Sequence, residues 1–230
     1  MVILMKQQTN GLTAYFCQED DMSSIEKYLH LGHKKLYKKG EQIFPIGKKI
    51  THLYYLKSGK VGRLVTAANG AEKYIKVVCD ESIIGEVIFF KQTDNSGGQF
   101  VAIENCECYL FDEETVYKTL LKDEQIIRDL IQWFCNRMSA LNYQVTDSLV
   151  KDPYYRICKF IYDYVLEFGT RNTAGQYEFN GKLSHYDIAK YLGMNRVSVT
   201  NVMKELQEEG IILKERNRLV VLNMAYLEQL

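Results

Sequence analysis

No charge of one sign dominates this chain, because 29 Lys and Arg balance 29 Asp and Glu. There is no bulk field to attract a polyanion, so any contact with nucleic acid must come from a local patch. Residues 151–230 do not alter this, with 11 basic against 10 acidic side chains. No hydrophobic run approaches the length of a membrane-spanning helix, so no membrane partner is expected. The opening run Met1-Val-Ile-Leu-Met5 is too short for a signal-peptide core and lacks a preceding basic region. A cytoplasmic protein is expected, with its six cysteines reduced rather than paired.

Catalytic and metal signatures are also missing. No nucleophile–base pair, P-loop or paired-carboxylate pattern occurs, and Gly97-Gly98 alone does not make a phosphate cradle. His30, His33, His52 and His185 have no ligand spacing, and the helix that would carry His30 and His33 ends near Gly32. Neither a metal site nor an enzyme is expected. Cys106 and Cys108 point two thiols to one face of a strand. They are either a redox pair or buried apolar cysteines, since bridging normally joins two strands.

The composition that remains is ordinary for a globular protein, 47% hydrophobic and 25% charged, and 230 residues suffice for two modest domains. Residues 34–112 hold short β-prone runs, His52–Leu56, Val61–Thr66 and Tyr74–Cys79, separated by glycine turns such as Ser58-Gly59 and Asn69-Gly70. Many short strands without a helical period predict a small antiparallel barrel or roll. A short helix over Ser23–Leu31 is expected to pack on it. Tyr74, Lys76 and Val78 share one face of a strand, which lines a sensor pocket or meets solvent.

From about residue 113 the period changes. Ile127, Ile131, Phe134, Met138, Leu141 and Val145 follow 4-3-4-3-4 spacing, an a/d seam broadened by Leu130. The helix either lies on its own barrel or pairs with its twin in a homodimer, and both can hold at once. Asp152-Pro153 is expected to end it, because proline cannot continue the ladder. The fold class is therefore α+β: a β-roll with an N-terminal helix over 1–112, a long dimerisation helix over 113–150, and a third region over 151–230. That last region opens with an apolar-faced helix over Tyr155–Phe168 and a polar hairpin over Thr170–Gly181.

Residues 184–206 meet the steric demands of a helix-turn-helix. Ser184 with Asp187 resembles a capping box. Ile188 and Leu192 face inward, Ala189 is small at the crossing, Gly193 allows the turn and Asn195 caps the second helix. Val199, Val202, Met203 and Leu206 form a buried stripe. Arg196, Val197, Ser198, Thr200, Asn201 and Lys204 are left outward, a set suited to the major groove, with Ser184 and His185 beside it. Strand, basic turn and strand over 211–222 then make a wing, whose Lys214, Arg216 and Arg218 suit phosphates.

Roll, long helix, Pro-marked hinge and winged helix-turn-helix in this order resemble the Crp/Fnr regulators, the cyclic-AMP receptor protein family. The resemblance rests on Lys39-Gly-Glu41, Tyr54-Tyr-Leu-Lys-Ser-Gly-Lys-Val61, Ile84-Gly-Glu86 and the helix-turn-helix run. Arg196-Val-Ser-Val-Thr200 is most similar to the halorespiration regulators that sense chlorinated phenolic acids. The resemblance implies a cyclic-nucleotide-binding-like jelly roll with no fixed cofactor, double-stranded DNA with a two-fold operator as partner, and RNA polymerase besides. It places an effector near Gly85, Glu86, Lys91, Ser96, Gly97, Gly98 and Gln99, with Tyr74 and Lys76 on the adjoining strand.

The departures from that pattern are specific. Cyclic-nucleotide members carry an Arg-Ser or Arg-Thr pair after the Gly-Glu turn, where this chain reads Asn95-Ser-Gly-Gly-Gln99. With no arginine at the turn to offset phosphate desolvation, the expected effector is not a cyclic nucleotide but an acid held by Lys76 or Lys91. Only Cys17 lies where the family's oxygen sensors cluster cysteines for an iron–sulfur centre. Val197 and Asn201 stand where many members have Glu and Arg, so the operator should differ. The alternative is an effector-binding module whose C-terminal hairpin contacts protein rather than DNA.

Overall fold

The computed structural model describes residues 16–17, 21–44, 46–47, 49–67, 70, 72–93, 98–149 and 152–230. The chain divides into two compact units, with the division falling between Asn142 and Tyr143. In the first unit nine strands form two sheets. One runs β1-β6-β5-β8-β3, with β1 at Phe16–Cys17, β3 at Gln42–Phe44, β5 at Val61–Thr66, β6 at Glu72–Val78 and β8 at Gln99–Ala102. The other runs β2-β9-β4-β7, with β2 at His33–Tyr37, β4 at His52–Ser58, β7 at Ser82–Ile84 and β9 at Cys106–Asp112. Apart from the parallel β1–β6 pair, the pairing is antiparallel throughout.

Two apolar clusters hold the roll. The first joins strands of both sheets through residues such as Phe44, Leu56, Val61, Val78, Phe100 and Cys108. The second is built by helices lying on the roll. Ile25, in the 3-10 helix Ser23–Leu31, meets Leu53, Tyr55, Phe111, Ile126, Leu130 and Trp133 there. Cys106 and Cys108 are free thiols. Burial pushes the Cys108 thiol up to about 12, and the Cys106 thiol also upward, so both are apolar filling rather than reactive thiolates.

The helical region is not one helix from residue 113. It opens with α2 (Glu113–Lys118, capped by Asp112) and a 3-10 turn at Leu120–Lys122 before α3, Glu124–Ser148. The expected seam keeps its period but not its width. Leu130 belongs to a second stripe, Ile126-Leu130-Trp133-Arg137-Ala140-Gln144, which is buried. Ile127, Ile131, Phe134, Met138, Leu141 and Val145, one residue on in each case, are exposed. Both stripes follow 4-3-4-3-4 spacing, and Ile126, Leu130 and Trp133 of the first join the roll's second cluster.

In the second unit α3 is already over when Pro153 arrives. The proline is the first residue of α4 (Pro153–Phe168), and the Asp152 side chain accepts a hydrogen bond from Tyr154 N at 2.9 Å. Proline suits that position because its missing N–H has no partner in the first turn anyway. A four-stranded sheet follows in the order β10-β11-β13-β12: Thr170–Arg171, Tyr177–Asn180, Arg218–Val221 and Ile212–Glu215. Between β11 and β12 lie α5 (His185–Leu192) and α6 (Arg196–Glu208), and α7 (Met224–Gln229) ends the chain. Phe160 of α4 stacks on Tyr191 of α5 at 5.6 Å, and Tyr164 meets Phe179 of β11 edge-on at 5.0 Å.

The packing of Ile126, Leu130 and Trp133 into the roll's second cluster has a measurable consequence. Ile126→Ala should destabilise the protein by about 2–5 kcal/mol. Gln125→Ala, one position away on the exposed side, should stay within about 0.5 kcal/mol. Equal losses for the two in urea unfolding would contradict the packing of α3 on the roll.

Candidate functional site

The helix-turn-helix closes by reciprocal capping. Ser184 Oγ accepts from Asp187 N at 3.2 Å while Asp187 Oδ2 accepts from Ser184 N at 2.9 Å. Gly193 takes the left-handed conformation at φ 63°, and Asn195 Oδ1 accepts from Val197 N at 2.8 Å. Val199, Val202, Met203 and Leu206 are buried. Arg196, Val197, Thr200, Asn201 and Lys204 are exposed on the other side, with Ser198 half-buried. An outward face with two cations, two small polar side chains and a lone Val197 can offer hydrogen bonds and a methyl-sized apolar contact to base edges.

The three wing residues part company. Arg216 lies exposed in the turn between β12 and β13. Lys214 is half-buried in β12, donates from Nζ to Glu215 O at 2.7 Å, and is held below the usual lysine range by burial. Arg218 leaves the phosphate-facing set that its spacing suggests. Its Nε and Nη2 donate to Glu178 Oε2 at 3.2 and 2.8 Å, a fork that ties β13 to β11 and holds Arg218 above its usual range. The cross-strand position Asn180↔Arg218 explains this, since Glu178 is two residues away on the same strand.

The roll contains a second constellation. Lys76 on β6 and Glu86 at the start of α1 (Glu86–Lys91) are both buried, at 7% and 5% exposure, and form an ion pair of 3.0 Å. Trp133 of α3 lies over the same ammonium, its ring centroid 4.1 Å from Nζ. Gly85, left-handed at φ 77°, sets the turn that delivers Glu86, with the Phe44 ring closing against it. Arg137 of α3 approaches the Trp133 ring at 5.9 Å. Arg63 is paired with Lys76 across β5–β6 and with Phe100 across β5–β8, and its guanidinium lies 5.6 Å over the Phe100 ring. Burial pulls the Arg63 pKa down, opposed by Glu86 and assisted by Arg137. Lys76 thus pairs with Glu86 directly, and Arg63 lies close enough to feel the charge of the same carboxylate. Arg63 Nε and Trp133 Nε1 are buried donors without a partner.

Several expected effector residues are elsewhere. Pairing runs Arg63↔Lys76 and then Leu64↔Tyr74, so Ile75 is an extra residue in β6. Such a bulge reverses the alternation, and Tyr74 falls on the face opposite Lys76. Its ring lies over Gly62, where an added Cβ would come within 2.6 Å of it. Gln99, opposite Leu64 on β8, is exposed on that outer side, and Lys91 is exposed at the end of α1. Gly98, at φ 138°, backs onto the Leu64 carbonyl. Ser96 and Gly97 lie outside the described residues. The turn carries no arginine, as expected, and the guanidinium groups near Lys76 come from β5 and α3 instead. Arg63 was legible as the inward neighbour of Val61 by alternation, whereas Trp133 and Arg137 lie on a stripe whose polar members interrupt the apolar period.

Comparison with known proteins fits both constellations. Residues 155–230 match the Crp-like helix-turn-helix domain, and residues 34–123 match the cyclic nucleotide-binding domain. The global nitrogen regulator of Synechococcus elongatus is 23% identical over 217 residues, covering 91% of this chain and 97% of that protein. The cyclic AMP receptor protein of Thermus thermophilus is 22% identical, covering 90% and 91%. The structure of CprK complexed with OCPA shares the fold at a TM-score of 0.73 and 23% identity, covering 90% of this chain and 94% of that one. With a cyclic-nucleotide-type roll, a long helix and a Crp-type winged helix-turn-helix in one chain, the protein belongs to the Crp/Fnr family of DNA-binding transcription regulators.

Proposed function

We propose that this regulator works as a homodimer paired through α3, and that it is gated by a small anionic effector other than a cyclic nucleotide. The observation that carries the reading is the two-sided α3. Trp133 closes on Lys76 from one stripe, while the stripe one residue on presents six exposed apolar side chains. A contiguous apolar seam of that kind marks an interface. An effector beside Lys76 disturbs Trp133 and so shifts how two α3 helices meet, which biases the two recognition helices toward or away from successive major grooves about 34–36 Å apart. RNA polymerase is the machinery on which a bound dimer would act.

The chemistry of the effector follows from the cations. An anion would meet Arg63, Lys76 and Arg137 and give acceptors to the unpartnered Arg63 Nε and Trp133 Nε1. Each buried donor left unmade costs about 1–3 kcal/mol, so its relief is a substantial binding term. A cyclic nucleotide suits the site less well. Glu86, the carboxylate that would hold a sugar hydroxyl, already accepts from Lys76 on Oε1 in a buried pair. A compact carboxylate can join the cations without taking Glu86.

Three experiments test this reading. Arg196→Ala should cost about 1–3 kcal/mol on a specific operator and little on random duplex, whereas Arg216→Ala should weaken both and flatten the salt slope by about one unit. Equal losses for Arg196→Ala on both duplexes exclude base reading, and no duplex affinity at low salt points to a protein partner instead.

Phe134→Glu with Met138→Glu sets charges against their symmetry mates in the seam and should give monomers by sedimentation. Dimers that persist show that the seam is not the interface.

Trp133 is the single tryptophan of the chain, so its fluorescence reports the site directly. Small aromatic or aliphatic acids should shift its emission and raise the melting point, cyclic AMP and cyclic GMP should do neither, and Lys76→Ala should abolish the acid response. A cyclic-nucleotide response that survives Lys76→Ala would overturn the effector assignment.

A further inference from the structure

The N-terminal ends of α5 and α6 and the strand β12 enclose a cleft of about 470 Å³ on the second unit. Its charge is one-sided. Lys182 enters from the loop before α5, Arg196 from α6, Lys214 from β12 and Arg216 from the wing turn. Glu215 is the one carboxylate among the described residues that line it, and it stands 3.9 Å from Arg218 Nη1. On α5 itself Tyr186 borders the cleft, and the neighbouring Asp187 is occupied in capping Ser184. The remaining titratable group is His185.

The hydrogen bonds around His185 specify its tautomer. Thr200 Oγ1 donates its only proton to the Arg196 carbonyl at 2.9 Å. The same oxygen lies 3.1 Å from His185 Nδ1, and with its proton on that carbonyl it accepts there, which assigns the imidazole proton to Nδ1. In the neutral ring Nε2 is then a bare lone pair within a basic cleft. Burial first, then Lys214 and Arg196, holds the imidazole below its usual range, so in the free protein it is neutral near pH 7.

We propose that this cleft is a proton-linked phosphate site, in which one DNA backbone phosphodiester seats among Lys214, Arg216 and His185 and His185 takes up a proton as it enters. The inference rests on the DNA-binding reading of α5 and α6. A bare Nε2 repels a phosphate oxygen, whereas a protonated one donates to it with charge assistance. The phosphate also reverses the local field, since it supplies the negative charge that the cleft lacks. The imidazole pKa therefore rises on binding, and affinity increases as pH falls through the interval between the free and bound values. Because the contact is to backbone, the effect belongs to any duplex and not to the operator alone.

The test uses the full-length protein and a random duplex at low salt, read by anisotropy from pH 8 to pH 6. Affinity should rise by roughly tenfold per subunit for each unit by which the duplex raises the His185 pKa. The salt slope should steepen by about 0.9 per subunit at the acid end, where one more phosphate is neutralised. His185→Gln should fold normally, flatten the pH dependence and remove the difference in salt slope. NMR titration, with the signal of His185 among four histidines assigned by that variant, should give a pKa below the usual value without duplex and a higher one with it. A pH slope that survives His185→Gln, or a His185 pKa that the duplex leaves unmoved, overturns the proton linkage while the DNA reading stands. Failure to bind duplex at any pH overturns the DNA reading and the linkage with it.

Discussion

The roll and its long helix are joined around a single buried ammonium. Lys76 cannot lie at 7% exposure without an opposite charge, and Glu86 cannot lie at 5% without Lys76. The pair therefore requires β6 and the start of α1 to be in register, which in turn requires the left-handed Gly85. Trp133 completes the enclosure by giving the ammonium a π-face on its third side, and a desolvated contact of this kind contributes on the order of 2 kcal/mol. The indole belongs to α3, so the docking of the helix and the neutralisation of a buried charge are one event.

That coupling gives the spacing of α3 its meaning. One residue advances an α-helix by about 100°, so two stripes offset by one position face about 100° apart. Ile126, Leu130 and Trp133 spend the first face on the roll, and Ile127, Ile131 and Phe134 leave the second open. Side chains on a rigid helix cannot be moved on one face alone. A tilt that relieves Trp133 re-aims Phe134, with which it is in edge-on contact at 5.1 Å. In the homodimer proposed above, the bistability expected of packed cores would turn a small local shift into a choice between two pairings.

Much of this was legible in the amino-acid sequence, for reasons that differ residue by residue. The caps of the helix-turn-helix are local, so Ser184, Asp187, Gly193 and Asn195 could be assigned from spacing, and each has the predicted role. The exposed seam was equally legible because it is purely apolar. Its buried twin was hidden because Arg137 and Gln144 break the pattern that a search for apolar periodicity follows. Tyr74 was misplaced by one inserted residue: Ile75 carries no signature of a bulge, and the pairing of β5 with β6 is a tertiary fact. Arg218 was misread because Glu178 lies forty positions away, and only the sheet order brings the two together. Pro153 was read as a terminator when it initiates, an ambiguity inherent in proline, which breaks the helix behind it and suits the first turn of the one ahead.

The energies at the proposed effector site are of the size that the proposed gating requires. Coupling between two sites in a regulator is typically about 1–3 kcal/mol. Arg63 Nε and Trp133 Nε1 are each buried without a partner, and each such donor costs about 1–3 kcal/mol. Satisfying the Trp133 donor alone would supply the whole coupling, provided that the acceptor can reach it in one position of α3 and not in the other. The proviso is the decisive one, since a ligand bound equally well in both positions shifts nothing. Arg63 is on β5 and moves with the roll, whereas Trp133 and Arg137 move with the helix. An anion held by Arg63 alone would bind without signalling, and one that bridges Arg63 to the α3 donors would discriminate between the two positions. Under the proposed gating, reciprocity makes duplex change the affinity for effector by the same factor, and in the same direction, as the effector changes the affinity for duplex. On the proposed gating, which donors an anion engages, rather than how tightly it binds, would decide whether it acts as a signal.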